Sequence, residues 1–68
     1  MSGQIFKNAI QCTDRVSGSV GCFIYPEDKP FEAHSPVFDG LVELYDWLKS
    51  NGYKQSNIGL LAEYRKVK

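Results

Sequence analysis

The chain has 68 residues and a mass of 7.7 kDa, which is enough for one small domain over residues 1–68. A hydrophobic fraction of 43% and a charged fraction of 24% are typical of a globular protein rather than a disordered one. Eight basic and eight acidic residues give a net charge of zero, which argues against a strongly basic nucleic-acid-binding protein. No apolar run approaches the ~20 residues of a membrane span, and no secretion signal is evident. We therefore expect a cytoplasmic domain with no membrane contact and a loose terminus at Met1–Gln4.

The first part of the chain predicts a β-hairpin. Apolar residues recur with strand spacing along Ile5–Val16, and β-branched and aromatic residues fill Val20–Tyr25. The intervening Ser17-Gly18-Ser19 is a turn signal, because glycine readily adopts positive φ. Since Val20–Tyr25 is apolar on both faces, we expect it to be a central strand of the sheet.

Two cysteines, Cys12 and Cys22, fall on the two hairpin strands. A turn centred on Ser17 places them opposite each other, a one-residue slip pairs Cys12 with Phe23, and both registers stay open. The interpretation we favour is two reduced thiols, as expected in the cytosol. A cross-strand disulfide is the alternative, and it requires Cα atoms within about 7 Å.

An amphipathic helix is predicted between Phe38 and Ser50. Apolar residues recur at i, i+3, i+4 and i+7 and form one stripe, namely Leu41, Leu44, Tyr45 and Leu48. Asp39 is a suitable N-cap for a helix that begins at Gly40, and Ser35 followed by Pro36 is an alternative start. Asn51-Gly52 predicts the helix end, with Tyr53 folding back onto it.

The segments on either side of this helix are less regular. Phe31–His34 is predicted as a short third strand that ends near Pro36. In the tail, Ile58, Leu60, Ala62 and Tyr64 share one strand face, although Leu60, Leu61, Tyr64 and Val67 also fit a helix. We favour the strand. The predicted fold is α+β: an antiparallel sheet of three or four strands with one helix on one face, in the order β-β-(β)-α-β.

Residue types that carry catalysis or bind cofactors are scarce. His34 is the only histidine, and its spacing from the two cysteines matches no common metal site. The segment Ser17–Gly21 lacks the ending of a phosphate-binding loop and connects two predicted strands. We therefore expect no enzyme activity, no metal and no cofactor.

Charge is distributed unevenly along the chain. Residues 27–46 contain one cation, Lys29, and six acids: Glu27, Asp28, Glu32, Asp39, Glu43 and Asp46. At 100° per residue, Asp39, Glu43 and Asp46 fall within about 60° of one another, opposite the apolar stripe. Trp47 lies beside Glu43, about 120° from the apolar centre, so we expect it to be partly buried. These four residues are the candidate partner-binding surface, and their partner is expected to be a protein with a basic surface.

Two alternative functions remain open. The C-terminal part of the chain is basic and includes an aromatic residue, which predicts a weak nucleic-acid contact through Lys54, Tyr64, Arg65, Lys66 and Lys68. The sheet face away from the helix, lined by Tyr25, Phe23 and Leu61, could instead form a homodimer interface in a structural subunit.

The plan of a short hairpin followed by one amphipathic helix with an acidic outer face is similar to that of small phage-encoded proteins. Anti-CRISPR proteins and polymerase inhibitors are examples. The local likeness is confined to Phe38-Asp39-Gly40 and Trp47-Leu48, and it transfers no functional residue. The resemblance implies a phage or mobile-element inhibitor or regulator that acts by occlusion of its partner.

Overall fold

The computed structural model describes residues 4–56 and 62–67. Its elements, in chain order, are β1 (Ile5–Thr13), β2 (Val20–Pro26), α1 (Leu41–Ser50), β3 (Tyr53–Gln55) and β4 (Glu63–Lys66). The strands form one antiparallel sheet in the spatial order β2-β1-β4-β3, and α1 packs on one face. The predicted α+β class is confirmed, whereas the chain order is β-β-α-β-β rather than β-β-(β)-α-β. No described helix is long and apolar enough to cross a membrane.

The hairpin of β1 and β2 contains a β-bulge that the sequence pattern did not reveal. Ala9 pairs with Phe23 and Cys12 pairs with Gly21, so β1 has one residue more than β2 between these two pairs. Gln11 lies within the bulge with a φ of +53°, in the left-handed region. Neither predicted register is therefore correct, because Cys12 faces a glycine. Both cysteines are free.

A buried carboxylate ends β1 at Thr13, before the predicted end at Val16. Asp14 accepts hydrogen bonds from the backbone N–H groups of Ala33 at 2.8 Å, Ser17 at 3.0 Å and Val16 at 3.3 Å, and from the Ser17 hydroxyl at 2.6 Å. These bonds, led by the one from Ala33, hold the pKa of Asp14 far below its usual value. Asp14 thus joins the hairpin turn to the segment that follows β2.

The segment Phe31–His34 is not a strand, contrary to the prediction. Phe31 has a φ of +60°, which interrupts an extended conformation, and its carbonyl accepts a hydrogen bond from the N–H of Arg15 at 2.8 Å. The additional strand of the sheet is β3, immediately after the helix. Of its residues Tyr53–Gln55, Tyr53 was expected to fold back onto the helix end, and no strand was predicted here.

Strand β2 is an edge strand rather than a central one, but the chain covers its outer edge. Cys22 and Phe38 exchange two backbone hydrogen bonds, at 2.7 and 2.8 Å. Ile24 donates its N–H to the Ser35 hydroxyl at 3.1 Å, and its carbonyl accepts from the N–H of His34 at 2.8 Å. Because this segment satisfies the edge, Gly21–Ile24 are all buried, which explains why β2 has the apolar composition of a central strand.

Helix α1 begins later than predicted. Gly40 is the N-cap, with extended backbone angles of φ −143° and ψ 164°, and no side chain caps the helix. The prediction of Asp39 as N-cap is therefore wrong. The alternative start at Ser35 is also wrong, because the Ser35 hydroxyl is buried against β2. The predicted helix end is confirmed: α1 stops at Ser50, and Gly52 adopts a φ of +79°.

The core lies between α1 and the sheet. Leu44 and Leu48 are 0% and 4% exposed and pack with residues of three strands, namely Phe6, Cys22, Ile24 and Tyr64. Tyr45 was expected to face inward but is 43% exposed. Since the buried face is centred on Leu44 and Leu48, Tyr45 and Trp47 lie about 80° to either side of it.

The tail forms a strand where it is described. Ala62 and Tyr64 are both 2% exposed, whereas Arg65 is exposed, which is the alternation expected of a strand. The predicted positions of Ile58, Leu60 and Leu61 lie outside the described residues. So do residues 1–3 of the predicted loose terminus, while Gln4 donates a hydrogen bond from Nε2 to the Asp28 carboxylate at 3.1 Å.

Candidate functional site

The sequence singled out three carboxylates at the start and middle of α1. Glu43 and Asp46 lie on one side of the helix, whereas Asp39 precedes the N-cap Gly40, so its predicted position on the helical wheel is wrong. We call Asp39, Glu43 and Asp46 the acidic helix face. All three are exposed, and none makes an ion pair with a described residue. The helix macrodipole favours the Glu43 carboxylate, because this residue lies in the first turn. No described cation pairs with Asp39 or Asp46, so their charge is available to a cation from outside.

An apolar side chain lies within the acidic helix face. Val42 is 71% exposed and occupies the same outward side of α1 as Asp46, about 40° away around the helix axis. A surface that combines carboxylates with an exposed aliphatic group can form ion pairs and also remove apolar area from water. Sequence reasoning did not include Val42, although its place opposite the leucine stripe is evident from helical periodicity alone.

The indole of Trp47 borders this surface and is held in place from one side. Trp47 is half-buried, and its ring stacks on that of Tyr53, with centroids 5.5 Å apart and planes inclined by 29°. Lys66 Nζ lies 5.5 Å from the Tyr53 ring centroid. The expected partial burial of Trp47 is confirmed, and the stack limits the orientations that its ring can adopt. A fixed, partly exposed indole loses little conformational entropy when a partner covers it.

Two residues distant in sequence, Phe6 and His34, support Tyr53. Its ring packs edge-on against Phe6 with centroids 5.7 Å apart, and the His34 ring lies over Phe6 at 4.5 Å. The Tyr53 hydroxyl and His34 Nε2 form a hydrogen bond at 3.1 Å. The sequence did not reveal this cluster, because β1, the segment after β2 and β3 meet only in the folded chain. Within residues 4–56 and 62–67, no group of three or more metal-ligating side chains converges.

The residues predicted to contact nucleic acid do not form one surface. Lys54 and Arg65 lie opposite each other on β3 and β4, but Tyr64 is 2% exposed on the other face of β4. Its ring packs in the core, so it is not available to stack on a base. Lys66 shares the face of Tyr64, and Lys68 lies outside the described residues. Glu63 occupies the same face as Arg65, so its carboxylate lowers the net positive charge of that face.

The sheet face opposite α1 offers little of the predicted apolar interface. Phe23 is fully buried, and Tyr25 is half-buried with its ring 5.1 Å from that of Phe31. Leu61, the third residue assigned to this interface, lies outside the described residues. On the same face, Lys7 forms an ion pair with Glu27 at 3.7 Å. The described part of this face therefore combines charged groups with the partly exposed rings of Tyr25 and Phe31.

Comparison with known proteins gives no match of any kind: no protein-family model, no curated protein and no solved structure is significantly similar to this chain. The assignment of function consequently rests on the physical chemistry of its surfaces.

Proposed function

We propose that this chain is a small non-catalytic protein-binding module whose acidic helix face docks on a basic surface of another protein. The observation that carries the proposal is the exposure of Asp39, Glu43 and Asp46 without a described intramolecular cation. The chain contains eight basic residues, yet none of the described ones forms an ion pair with these carboxylates. The carboxylates can therefore attract a positively charged surface of another protein.

The binding surface consists of the acidic helix face with Val42 and Trp47 as its apolar contacts. The carboxylates accelerate association and select a basic partner, whereas the valine and the indole supply area that is removed from water. A bound helix face of this kind blocks whatever the basic surface normally contacts, so the module acts by occlusion. Such a role suits an inhibitor or regulator encoded by a phage or another mobile element and acting in the cytoplasm.

The two alternative functions have less support. Among the described candidates for a nucleic-acid site, only Lys54 and Arg65 share an accessible face, since Tyr64 is buried and Lys66 lies on the opposite side of the sheet. Homodimerisation through the sheet would have to use a face that carries the Lys7–Glu27 ion pair and on which Phe23 is inaccessible.

The proposal is tested by comparing partner capture by three forms of the tagged chain. These are the wild type, the triple variant Asp39→Lys/Glu43→Lys/Asp46→Lys, and a control that reverses two charges on the other side of the sheet, Lys54→Glu/Arg65→Glu. We expect wild type and control to recover the same protein at low salt, and the triple variant to recover at least about tenfold less. Recovery by the wild type should decrease as salt increases, because the attraction is between exposed charges.

A photo-crosslinking residue provides a second, position-specific measurement. Placed at Val42, it should form an adduct with the captured protein, and placed at Lys54 it should not. Circular dichroism confirms that each variant is folded. Equal recovery by the wild type and the triple variant at low salt would contradict the proposal, as would adducts that form only from position 54. A strict dependence of capture on Lys54 and Arg65, with added nucleic acid competing, would favour the nucleic-acid alternative instead.

A further inference from the structure

The two flanks of α1 each carry an exposed or partly exposed aromatic ring, but the charges beside the two rings are opposite. On one flank, Tyr45 and Lys49 line a pocket of about 220 Å³ between α1, β3 and β4. On the other flank, Glu43 lies one helical turn before Trp47. A cation of another protein is therefore repelled at the Tyr45 flank and attracted at the Trp47 flank.

Glu43 and Trp47 are close enough to contact one ligand group together. Residues four apart on a helix are neighbours on its surface, with Cβ atoms about 5–6 Å apart. Glu43 is exposed and forms no ion pair with a described residue. Its carboxylate lies beside Gly40 in the free protein, and rotation of this exposed side chain can bring it to a cation on the indole.

The accessible part of the Trp47 ring is suited to a cation. Tyr53 stacks on one side of the indole, so the part that stays exposed is its other face and its edges. Cations within about 6 Å of an aromatic centroid are attracted to the negative face of the ring, and indole is the strongest of the aromatic side chains in this respect. The same aromatic cluster already holds one cation, since Lys66 Nζ lies 5.5 Å from the Tyr53 centroid.

We propose that an arginine side chain of the basic partner binds at Trp47 and Glu43. This site rests on the proposed function and names the chemistry of the partner at the edge of the acidic helix face. The guanidinium group stacks on the indole and donates N–H hydrogen bonds to the Glu43 carboxylate. Arginine is favoured over lysine, because guanidinium is planar, weakly hydrated and rich in donors, whereas ammonium is compact and strongly hydrated.

Two synthetic peptides of equal charge test the site without the cellular partner. One is a seven-residue peptide in which three arginines alternate with glycines, and the other has three lysines in the same places. Each is titrated into the protein at low salt, and the backbone amide and indole N–H signals are followed by NMR. Because the chain has one tryptophan, the indole signal reports on Trp47 directly. We expect the arginine peptide to bind about fivefold more tightly and to shift the indole signal more at saturation.

Substitutions on the two flanks locate the preference for arginine. Trp47→Leu should reduce it to less than about twofold, whereas the matched control Tyr45→Leu should leave it unchanged. Glu43→Gln should also reduce the preference, because the guanidinium loses its charged acceptor. Asp46→Asn removes the same charge farther from the indole, so it should weaken the binding of both peptides equally. Circular dichroism confirms that each variant is folded.

Three results would rule out the arginine site. They are the absence of a saturable change with the arginine peptide, equal binding of the two peptides by the wild type, and an undiminished preference in folded Trp47→Leu. Should Trp47→Leu not fold, Glu43→Gln decides the question, because its exposed side chain takes no part in the core. An undiminished preference in that variant would also rule out the site.

The arginine site and the proposed function fail in different measurements. Equal binding of the two peptides, with loss of partner capture by Asp39→Lys/Glu43→Lys/Asp46→Lys, would overturn the arginine site and support the proposed function. A preference for arginine that depends on Trp47, with undiminished partner capture by that triple variant, would support the arginine site and contradict the proposed function.

Discussion

The two halves of the molecule are held together by different forces. In the hairpin half, which comprises β1, β2 and the segment along the outer edge of β2, hydrogen bonds converge on Asp14 and on the backbone of Cys22 and Ile24. In the helix half, which comprises α1, β3 and β4, buried leucines and stacked aromatic rings provide the contacts. Substitutions that remove a charge or block close backbone approach should therefore destabilise the hairpin half. Substitutions that remove apolar volume should destabilise the helix half.

The largest effect is expected from Leu44→Ala in the helix half. Leu44 is fully buried between α1 and the sheet, so truncation creates a cavity and should lower the free energy of unfolding by about 2–5 kcal/mol. Urea denaturation measures the change. The control Val42→Ala, on the exposed side of the same helix, should alter stability by less than about 0.5 kcal/mol. Equal losses in the two variants would show that the helix is not packed through its leucine stripe.

The next largest effect is expected from Gly21→Ala in the hairpin half. A Cβ atom at Gly21 would lie 2.4 Å from the carbonyl oxygen of Phe38 and 2.7 Å from Val37 Cγ1, so the covering segment must move away. We expect a loss of about 3 kcal/mol and faster hydrogen exchange at the Cys22 and Phe38 amides.

Gly18→Ala is the matched control for this substitution. Gly18 has open space around it, but its φ of +79° costs an alanine roughly 1 kcal/mol. Its variant should leave exchange at Cys22 and Phe38 unchanged. A Gly21→Ala protein as stable as the wild type would mean that the segment does not cover the edge of β2.

A smaller, pH-dependent effect is expected from Asp14→Asn. The pKa of Asp14 is lowered in the folded state, so ionised Asp14 contributes stability above the unfolded pKa of about 4, and this contribution is lost as the pH falls through the folded-state pKa. The variant keeps one acceptor oxygen but lacks the charge. Its stability deficit relative to the wild type should be present at pH 7 and shrink on acidification. Urea denaturation across pH tests this, with exposed Asp46→Asn as the control; a deficit independent of pH would contradict the role of the charge.

Helix α1 and the tail strand show which structural features sequence patterns predict correctly and which they do not. The leucine spacing located the helix, Asn51-Gly52 located its end, and the alternation of Ala62, Tyr64 and Arg65 favoured a strand. The N-cap was wrong because Asp39 and Gly40 are both acceptable caps, and only the path of the preceding chain selects between them. The orientation of Tyr45 was wrong because it and Trp47 flank the leucines symmetrically, so sequence spacing does not decide which is more exposed.

The local sequence pattern by itself determined the fold class, the helix and the exposure of Asp39, Glu43 and Asp46, because period and burial are properties of short segments. Tertiary structure alone decided the bulge at Gln11, the edge position of β2, the aromatic support of Trp47 and the pocket between α1, β3 and β4. Each of these depends on residues between about 10 and 50 positions apart in the chain. Contacts over such distances are set by how the elements pack together, which no short segment of the sequence specifies.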